Sequence, residues 1–299
     1  MKKFLTVLFL AILTLALAAC STNDEESSNS DGDNNTEDTG NNDTNNATDS
    51  NTSGTTEKLV VGASYGIHEL VLKQAQPILE KEGIELVVEG YQDYVLPNED
   101  LASGELDANY FQHIPYLENE IKEKGYDFVN AGGIHIEPIG VYSKKYKTLD
   151  ELPDGATIII SNSVTDQGRI LTLFETLGVI KLKEDVVKAD ATLDDIVENP
   201  KNIKFDADSP PEMLVSYYEN DEGDAVIINS NYAIDAKIDP NTDSIAIEQT
   251  DSPYVNVVAV RSEDKDKESI KKLVEVLKSE EIQQFMLDEW KGAVVPVKE

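Results

Sequence analysis

The hydrophobic pattern along residues 58–299 switches repeatedly between two spacings. Short apolar runs, such as residues 59–62 and 157–160, have the length of buried strands. The stretches between such runs place apolar residues three and four positions apart, which is the spacing of a helix that buries one face. Strands that alternate with helices in this way predict α/β architecture.

The individual elements follow from the same pattern and from helix stop signals. The first helix is predicted over residues 68–82 with Pro77 inside it, and a short helix ends at Ser103 with Gly104 as its stop. Polar residues 161–168 are predicted to form a loop that opens a helix carrying Arg169 in its first turn. Further strands or extended segments are predicted at 84–89, 128–130, 134–142, 203–205, 225–228 and 255–260, and further helices at 212–219, up to 236, and within 268–290.

Residues 106–117 concentrate aromatic rings, an imidazole and amides in one stretch, LDANYFQHIPYL. We predict a short strand that runs into a helix, with Pro115 in the first helical turn. Alternation along the strand would place Asn109, Phe111 and His113 on one face. A strand end that delivers such groups together is one way in which an α/β protein builds a small-ligand pocket. A core strand with one solvated histidine fits the same pattern equally well.

The N-terminus is predicted to be a targeting segment. Two lysines precede an almost wholly apolar run over residues 4–19, which is too short and wrongly flanked to span a membrane. Cys20, the only cysteine in the sequence, follows two alanines, and this arrangement resembles the lipobox of bacterial lipoproteins. The resemblance implies a signal peptide over residues 1–19, cleavage before Cys20 and a diacylglycerol on its sulfur. An ordinary secretory signal followed by a chance cysteine is the alternative.

Residues 20–57 are predicted to form a disordered acidic linker behind the anchor. After Cys20 they are nearly all Ser, Thr, Asn, Asp, Glu and Gly, so they cannot bury enough apolar surface to offset the entropy cost of ordering. A tether of this length lets a folded domain move above a membrane. This arrangement suits the cell surface of a bacterium with a single membrane.

Composition excludes several classes of function. The formal net charge of −33 opposes binding to nucleic acid and to anionic lipid surfaces. No serine lies in a nucleophile-elbow context and there is no second cysteine, so we predict neither an enzyme nor a cofactor. A metal-binding receptor remains open if His68, His113 and His135 converge, and so does a surface adhesin, which only the anchor and tether support.

Several short motifs occur in a characteristic order along residues 58–299. Together they resemble the methionine-binding lipoprotein family of ABC importers, the NlpA-type lipoproteins, over essentially the whole chain after the linker. The motifs are Gly62-Ala63 with His68, Asp93-Tyr94-Val95 with Pro97-Asn98, the run from Gly104 to Leu117, His135-Ile136-Glu137-Pro138, Gly168-Arg169, Asn229-Ser230-Asn231-Tyr232-Ala233, and Lys291-Gly292-Ala293-Val294.

The resemblance implies a fold like the type II periplasmic-binding proteins, with two α/β lobes joined by two crossovers. It places lobe one at residues 58–138 plus 256–299 and lobe two at residues 139–255. The ligand, methionine of either enantiomer or a close analogue, would bind between the lobes, and the loaded protein would deliver it to a membrane permease driven by an ATPase. Another small amino acid or a dipeptide is the alternative ligand.

The resemblance also implies which residues bind the ligand. For the amino-acid head, the planar guanidinium of Arg169 suits a carboxylate, and the amides of Asn229 and Asn231 can both donate and accept. A surface salt bridge for Arg169 and helix capping by Asn231 are the structural alternatives. For the thioether side chain, polarizable aromatic surroundings are favourable. The full set of predicted ligand-binding residues is Tyr94, Asn109, Phe111, His113, Tyr116, His135, Arg169, Asn229 and Asn231.

The chain departs from the family pattern in three places. Leu96 stands where members commonly carry glutamine, and residues 162–165 and 206–222 do not match the expected pattern. We expect these differences to lie on both sides of the cleft. They therefore leave binding of the amino-acid head in place and leave the preference for a side chain open.

Overall fold

The computed structural model describes residues 56–297. The predicted signal peptide, Cys20 and all but the last two residues of the predicted linker lie outside the described residues. Within residues 56–297, none of the helices has the length and apolar character that a membrane crossing requires.

The described residues contain thirteen strands and eight α-helices, together with a few short 3-10 turns. The strands are β1 (Glu57–Ser64), β2 (Ile84–Tyr91), β3 (Ala108–His113), β4 (Phe128–Ile136), β5 (Gly140–Tyr142), β6 (Thr157–Ser161), β7 (Lys181–Leu182), β8 (Ile196–Glu198), β9 (Lys204–Ser209), β10 (Ala225–Ile228), β11 (Ser244–Ile247), β12 (Val255–Arg261) and β13 (Val295–Pro296). The helices are α1 (Ile67–Lys81), α2 (Leu96–Ser103), α3 (Ile114–Lys124), α4 (Val164–Thr176), α5 (Leu214–Glu219), α6 (Ser230–Asp235), α7 (Glu268–Leu277) and α8 (Glu280–Trp290).

Two mixed sheets organise these elements. The first has six strands in the order β13-β4-β12-β3-β1-β2, in which β1 runs parallel to β2 and β3 while β12 runs antiparallel to β3 and β4. The second has five strands in the order β11-β5-β10-β6-β9, with β6 parallel to both β9 and β10. Helices α1, α7 and α8 bury their apolar faces against the first sheet, and α4 buries its face against the second. The predicted α/β architecture is confirmed.

The chain passes from one sheet to the other only twice within residues 56–297. It leaves the first sheet after β4, through Glu137, Pro138 and Ile139, and returns after β11, through residues 248–254. The second sheet is therefore built from one continuous segment, whereas the first combines the two ends of the described chain.

Helix α4 begins earlier than the sequence pattern predicts. Its first residue is Val164, with Ser163 in extended conformation at the N-cap position, so Arg169 lies in the second turn and not in the first. Residues 162 and 163 form the short connection after β6, and residues 164–168 already belong to the helix. An acidic residue such as Asp166 in the first turn complements the helix dipole, whereas Ser163 makes no side-chain capping hydrogen bond. The free N–H groups at the helix start are therefore not beside Arg169.

Strand β3 contains a β-bulge that alters the predicted alternation. Val257 of β12 lies opposite Gln112, and Val258 lies opposite Tyr110, so Phe111 has no partner in the ladder. An extra residue changes which face the following side chains occupy. As a result the side chains of Gln112 and Asn109 lie together and are hydrogen-bonded at 2.8 Å. The predicted placement of Asn109 on one face with Phe111 and His113 therefore does not follow from strict alternation.

Candidate ligand-binding site

A cavity lies between the end of the first sheet and the helices that follow strands of the second. Strand β3 and helix α3 contribute its wall from the first sheet. Helix α4 and the start of α6 contribute the opposite wall. Because β6 and β10 are parallel neighbours, their carboxyl ends open on the same edge of the second sheet, which is where open α/β sheets bind ligands.

Seven of the nine predicted ligand-binding residues line this cavity. They are Tyr94, Phe111, His113, Tyr116, Arg169, Asn229 and Asn231. The remaining pair, Asn109 and His135, are fully buried beneath it. Asn109 donates to the backbone oxygen of Pro97 and to Asn98 Oδ1, and His135 Nε2 lies 2.7 Å from Glu137 Oε1. Both therefore support the cavity wall from behind.

Six further residues, which the sequence pattern did not single out as ligand-binding, also line the cavity. They are Gln112, Glu137, Ser163, Asp166, Ser230 and Asn256. Glu137 belongs to a motif that carried the family resemblance, and Ser230 lies between the two predicted asparagines, so both could have been found from the sequence. Gln112 needed knowledge of the bulge, and Asp166 needed the correct start of α4. No sequence signal singles out Asn256 within its apolar strand.

The positions that depart from the family pattern mostly lie away from the cavity. Leu96 is 47% exposed at the start of α2, and neither it nor any residue of 206–222 lines the cavity. Among residues 162–165 only Ser163 does so. Residues of 206–222 do meet the first-sheet side next to this cavity, since Glu212 and Met213 line a neighbouring cavity together with Tyr91 and Gln92. Leu96 lines neither cavity.

Three aromatic rings form one wall. The ring centroids of Tyr94, Phe111 and Tyr116 lie 6.0 to 6.3 Å from one another, within the range of favourable aromatic contact. The Tyr116 hydroxyl donates to the backbone oxygen of Tyr94 at 2.9 Å, and the Tyr94 hydroxyl donates to Asn231 Oδ1 at 2.7 Å. Burial raises the pKa of both phenols well above the usual range, so they remain neutral donors.

The orientation of His113 is fixed by the start of helix α3. His113 is the N-cap residue, and its Nδ1 accepts a hydrogen bond from the backbone N–H of Tyr116 at 3.1 Å. Burial lowers the pKa of His113, so the ring is neutral at pH 7. A neutral ring that accepts at Nδ1 carries its proton on Nε2, and this N–H points toward Asp166, with Nε2 3.9 Å from Oδ1.

Arg169 connects both chain segments that join the sheets. Its Nε lies 3.0 Å from Glu248 Oε2 and one terminal nitrogen also contacts that oxygen, while the same nitrogen donates to the backbone oxygen of Glu137 at 2.6 Å. The guanidinium stacks over Tyr254 with its carbon 4.6 Å from the ring centroid. Burial lowers the pKa of Arg169, but the charge of Glu248 outweighs it, so the side chain is a fixed cation. The salt bridge of Arg169 is therefore buried and does not lie on the surface.

Asp166 and Asn229 bring polar oxygens into the cavity without protein partners. Asp166 Oδ2 and Asn229 Oδ1 are buried and accept no hydrogen bond in the described residues. The two side chains hold each other, since Asn229 Nδ2 donates to Asp166 Oδ1 at 3.4 Å. Burial opposes the charged form of Asp166, but the neighbouring His113, Arg169 and Ser161 outweigh it and lower the pKa of Asp166.

One cluster beneath the cavity has donor atoms that could hold a metal ion. His68 Nε2, His135 Nε2 and Glu137 Oε1 lie close together, with donor atoms within 4.8 Å of one another, and His113 is not part of this group. The three side chains already contact one another, because Glu137 Oε1 lies 2.7 Å from His135 Nε2 and 3.2 Å from His68 Nε2. His68 Nδ1 is buried without a hydrogen-bond partner among the described residues. Burial lowers the pKa of His68 to about 4. This geometry is that of a hydrogen-bonded network that supports the cavity floor.

Two α/β sheets, two connecting segments and a cavity lined from both sides define a solute-binding fold like the type II periplasmic-binding proteins. The sequence model of the NlpA lipoprotein family matches residues 59–298. The chain belongs to this family, as the motifs predicted.

Relatives of this chain are named as methionine-binding lipoproteins. The chain is 44% identical to the methionine-binding lipoprotein MetQ of Bacillus subtilis, over the full length of both chains. It is 38% identical to the D-methionine-binding lipoprotein MetQ of Escherichia coli, over 79% of this chain and 86% of that protein. These relatives are binding proteins and lipoproteins by name.

Solved structures agree with the fold. A putative methionine-binding lipoprotein from Bacillus subtilis superposes with a TM-score of 0.79 at 49% identity and covers 81% of this chain and 99% of that one. A nutrient binding protein from Burkholderia cenocepacia, solved bound to methionine, superposes with a TM-score of 0.76 at 42% identity, covering 80% of this chain and 100% of that one.

Proposed function

We propose that this protein is a lipid-anchored extracytoplasmic solute-binding protein that captures methionine and delivers it to an ABC importer. The observation that carries the proposal is the cavity, because an aromatic wall and a buried arginine line it together. The relatives named for methionine binding and the methionine-bound structural neighbour support the same ligand. The role is binding and transport without catalysis.

The ligand's carboxylate is proposed to bind between Arg169 and Asn231. The Tyr94 hydroxyl occupies Asn231 Oδ1, so the NH₂ group of Asn231 is the end that can donate to a carboxylate. Arg169 supplies the positive charge from a guanidinium whose plane is fixed by Glu248 and Tyr254. A fixed donor set lowers the entropy cost of binding, because little is left to order when the ligand arrives.

The thioether is proposed to lie against the aromatic wall of Tyr94, Phe111 and Tyr116. Sulfur near aromatic ring edges contributes roughly 0.3–1.5 kcal/mol per contact, and three rings within contact distance of each other offer several such edges. His113 closes this wall beside Tyr254, with ring centroids 4.9 Å apart. An unbranched, flexible side chain suits a slot of this kind better than a branched one.

The units built on the two sheets are proposed to act as lobes that close on the ligand. Residues 58–138 plus 256–299 would form one lobe and residues 139–255 the second. Two hydrogen bonds support this proposal because they link opposite sides of the cavity: Tyr94 to Asn231, and the Tyr232 hydroxyl to the backbone oxygen of Gln92 at 2.8 Å. Closure would present the loaded form to a permease and its ATPase.

Calorimetry tests the proposed ligand. Protein is unfolded, dialysed free of bound small molecules, refolded and titrated with L-methionine, D-methionine and L-valine, in which the side chain is branched. We expect at least one methionine enantiomer to bind and L-valine to bind at least about tenfold more weakly, a difference of about 1.4 kcal/mol. Absence of binding by both enantiomers at millimolar concentration would contradict the methionine assignment. Mass spectrometry of the molecule released on unfolding identifies the natural occupant directly.

A further inference from the structure

We propose that Asn98 is a positioning residue that determines which ligand side chain the protein accepts. It lies behind the cavity wall and acts through two other buried amides, Asn109 and Gln112. Together the three amides hold the rings of Tyr94 and Phe111 in place. This inference rests on the proposed function as a binder of an amino acid, and it assigns the selection of the ligand's side chain to residues behind the aromatic wall.

The three amide side chains form a network in which every amide oxygen and nitrogen has a partner. Asn98 Nδ2 donates to Gln112 Oε1 at 3.2 Å, and Gln112 Nε2 donates back to Asn98 Oδ1 at 2.8 Å and to Asn109 Oδ1 at 2.8 Å. Asn109 Nδ2 donates to Asn98 Oδ1 at 2.8 Å and to the backbone oxygen of Pro97 at 3.0 Å. All three side chains are buried, with at most 2% exposed. A buried polar network whose members are all satisfied makes its surroundings rigid.

Gln112 lines the cavity but has no donor to offer a ligand. A side-chain amide carries two N–H groups, and both of those on Gln112 are used within the network. Its place in the cavity wall therefore serves the network and not a hydrogen bond donated to the ligand.

The network spans the β-bulge that carries Phe111. Asn109 and Gln112 are three residues apart, and in a regular strand such side chains point to opposite faces. The extra residue at Phe111 brings them to one side, where they are hydrogen-bonded. Because this bond depends on the bulge, the network stabilises the bulge. A bulge changes the direction of the side chains around it, so the network also fixes the direction of Phe111, which is 4% exposed and lines the cavity.

The same network holds the loop that carries Tyr94. This loop runs directly into α2, and its end is fixed where Asn109 donates to the backbone oxygen of Pro97. Asn98 lies in the first turn of α2. The rings of Tyr94 and Phe111 come from separate elements, yet their centroids are 6.0 Å apart. One set of hydrogen bonds therefore sets the spacing of the two rings.

Removal of the Asn98 amide should disturb the rings and leave the opposite wall unchanged. It would leave the other two amides with buried groups that lack partners, which is costly, and β3 can relieve that cost by shifting its bulge. Arg169 and Asn231 lie on the opposite wall and make no hydrogen bond to the network. The loss of affinity should therefore depend on the ligand's side chain and not on its amino-acid head.

The test compares two ligands that share a head and differ in side chain. Wild type, Asn98→Leu, Asn98→Ala and the control Asn199→Leu are refolded free of ligand. Each is titrated with the methionine enantiomer that the wild type binds and with alanine of the same handedness, measured by competition. Leucine keeps the branched shape of asparagine without the amide, and alanine serves if leucine prevents folding. Asn199 is bonded to both backbone groups of Ile203 and lies away from the cavity.

We expect the Asn98 variants to weaken methionine binding at least about fivefold and to change alanine binding by less than about twofold, while Asn199→Leu changes neither. An equal loss for both ligands would mean that Asn98 supports the fold in general. Unchanged methionine binding would mean that the rings are held without the network. Either result overturns the inference and leaves the proposed function standing.

Crystal structures of the Asn98 variants without ligand give a second readout that does not depend on the identity of the ligand. We expect the ring of Phe111 or Tyr94 to be displaced from its wild-type position, while Arg169 and Asn231 keep theirs. Rings in their wild-type positions would overturn the inference. If the wild type binds neither enantiomer of methionine, the proposed ligand fails, and this comparison still decides whether Asn98 positions the rings.

Discussion

Arg169 holds the two segments that connect the sheets and also lines the cavity in which the ligand is proposed to bind. The sequence predicts that it binds a carboxylate from the first turn of a helix. In the structure it lies one turn later and is held by Glu248, by the backbone of Glu137 and by the ring of Tyr254. These contacts fix both segments that connect the sheets, and they leave Arg169 lining the cavity.

Arg169→Ala should weaken methionine binding at least about tenfold, because losing a buried charged hydrogen bond costs about 1.5–3 kcal/mol. Calorimetry on refolded protein measures the dissociation constant, and circular dichroism checks that the variant is folded. Lys73→Ala is the control. Its ion pair with Glu69 is on the surface, where such pairs contribute little. A dissociation constant unchanged by Arg169→Ala would remove this residue from the binding site.

At the scale of elements, spacing predicted the helices and most strands in order, but it missed the strands β7, β8, β11 and β13 and the irregularities of the others. Gly104 ends α2 in left-handed conformation as expected, because this stop signal is local. The bulge at Phe111 depends on the register with β12, a strand far along the chain, so no local pattern could reveal it. The early start of α4 was missed because Ser163 and Asp166 favour helix starts and loops alike. The seven predicted residues that line the cavity were identified from the ordered motifs. These motifs indicate the family, whereas the local residue pattern alone would not have singled them out.

Gly168 shows why α4 needs a small residue next to Arg169. A Cβ at this position would lie 2.3 Å from the backbone oxygen of Ala189, a contact that a rigid backbone cannot relieve by a rotamer change. Alanine normally favours a helix over glycine by about 1 kcal/mol, but here the steric conflict is larger.

Gly168→Ala should therefore lower the free energy of unfolding by about 1–3 kcal/mol, the usual cost of overpacking. Urea unfolding followed by circular dichroism measures the difference. Thr176→Ala, at the exposed end of the same helix, is the control and should change stability by less than about 1 kcal/mol. Equal stability of Gly168→Ala and wild type would show that α4 can move away from Ala189 without cost.

At the scale of the whole molecule, stability should depend on pH through the buried histidine network. His68 is enclosed by Glu137, His135, Asn256 and Tyr110, and burial lowers its pKa from the ordinary 6.5 to about 4. Above pH 6.5 the ring is neutral in both the folded and the unfolded chain. Between pH 6.5 and about 4 only the unfolded chain takes up the proton, so stability falls as the pH falls through this window.

His68→Gln should flatten this dependence by about one proton. We expect the wild type to lose up to about 1.4 kcal/mol more per pH unit than the variant within the window, since this is the free energy equivalent of one pKa unit. Urea unfolding at about pH 7, just above the window, and at about pH 6 and 5, within it, gives the two slopes. The acidic groups common to both proteins cancel in the comparison. Parallel slopes would mean that His68 is protonated in the folded protein.

The proposed lipid anchor on Cys20 can be tested by mass spectrometry. Intact-mass analysis of the N-terminal peptide from membranes should show a chain that begins at Cys20 and carries diacylglycerol. The matched variant Cys20→Ser should lack that mass, and Ser21→Ala should keep it. Recovery of the wild-type peptide without lipid would contradict a lipoprotein anchor, since stable attachment requires at least two acyl chains.

The position of β12 has a consequence for how the chain folds. This strand lies between β3 and β4 in the first sheet, yet all five strands of the second sheet precede it in the sequence. During synthesis the second sheet therefore has every strand available while β3 and β4 still lack the partner between them. Pairing that must wait for distant segments is slow and leaves strand edges open. The sheet that begins first along the chain is thus completed last.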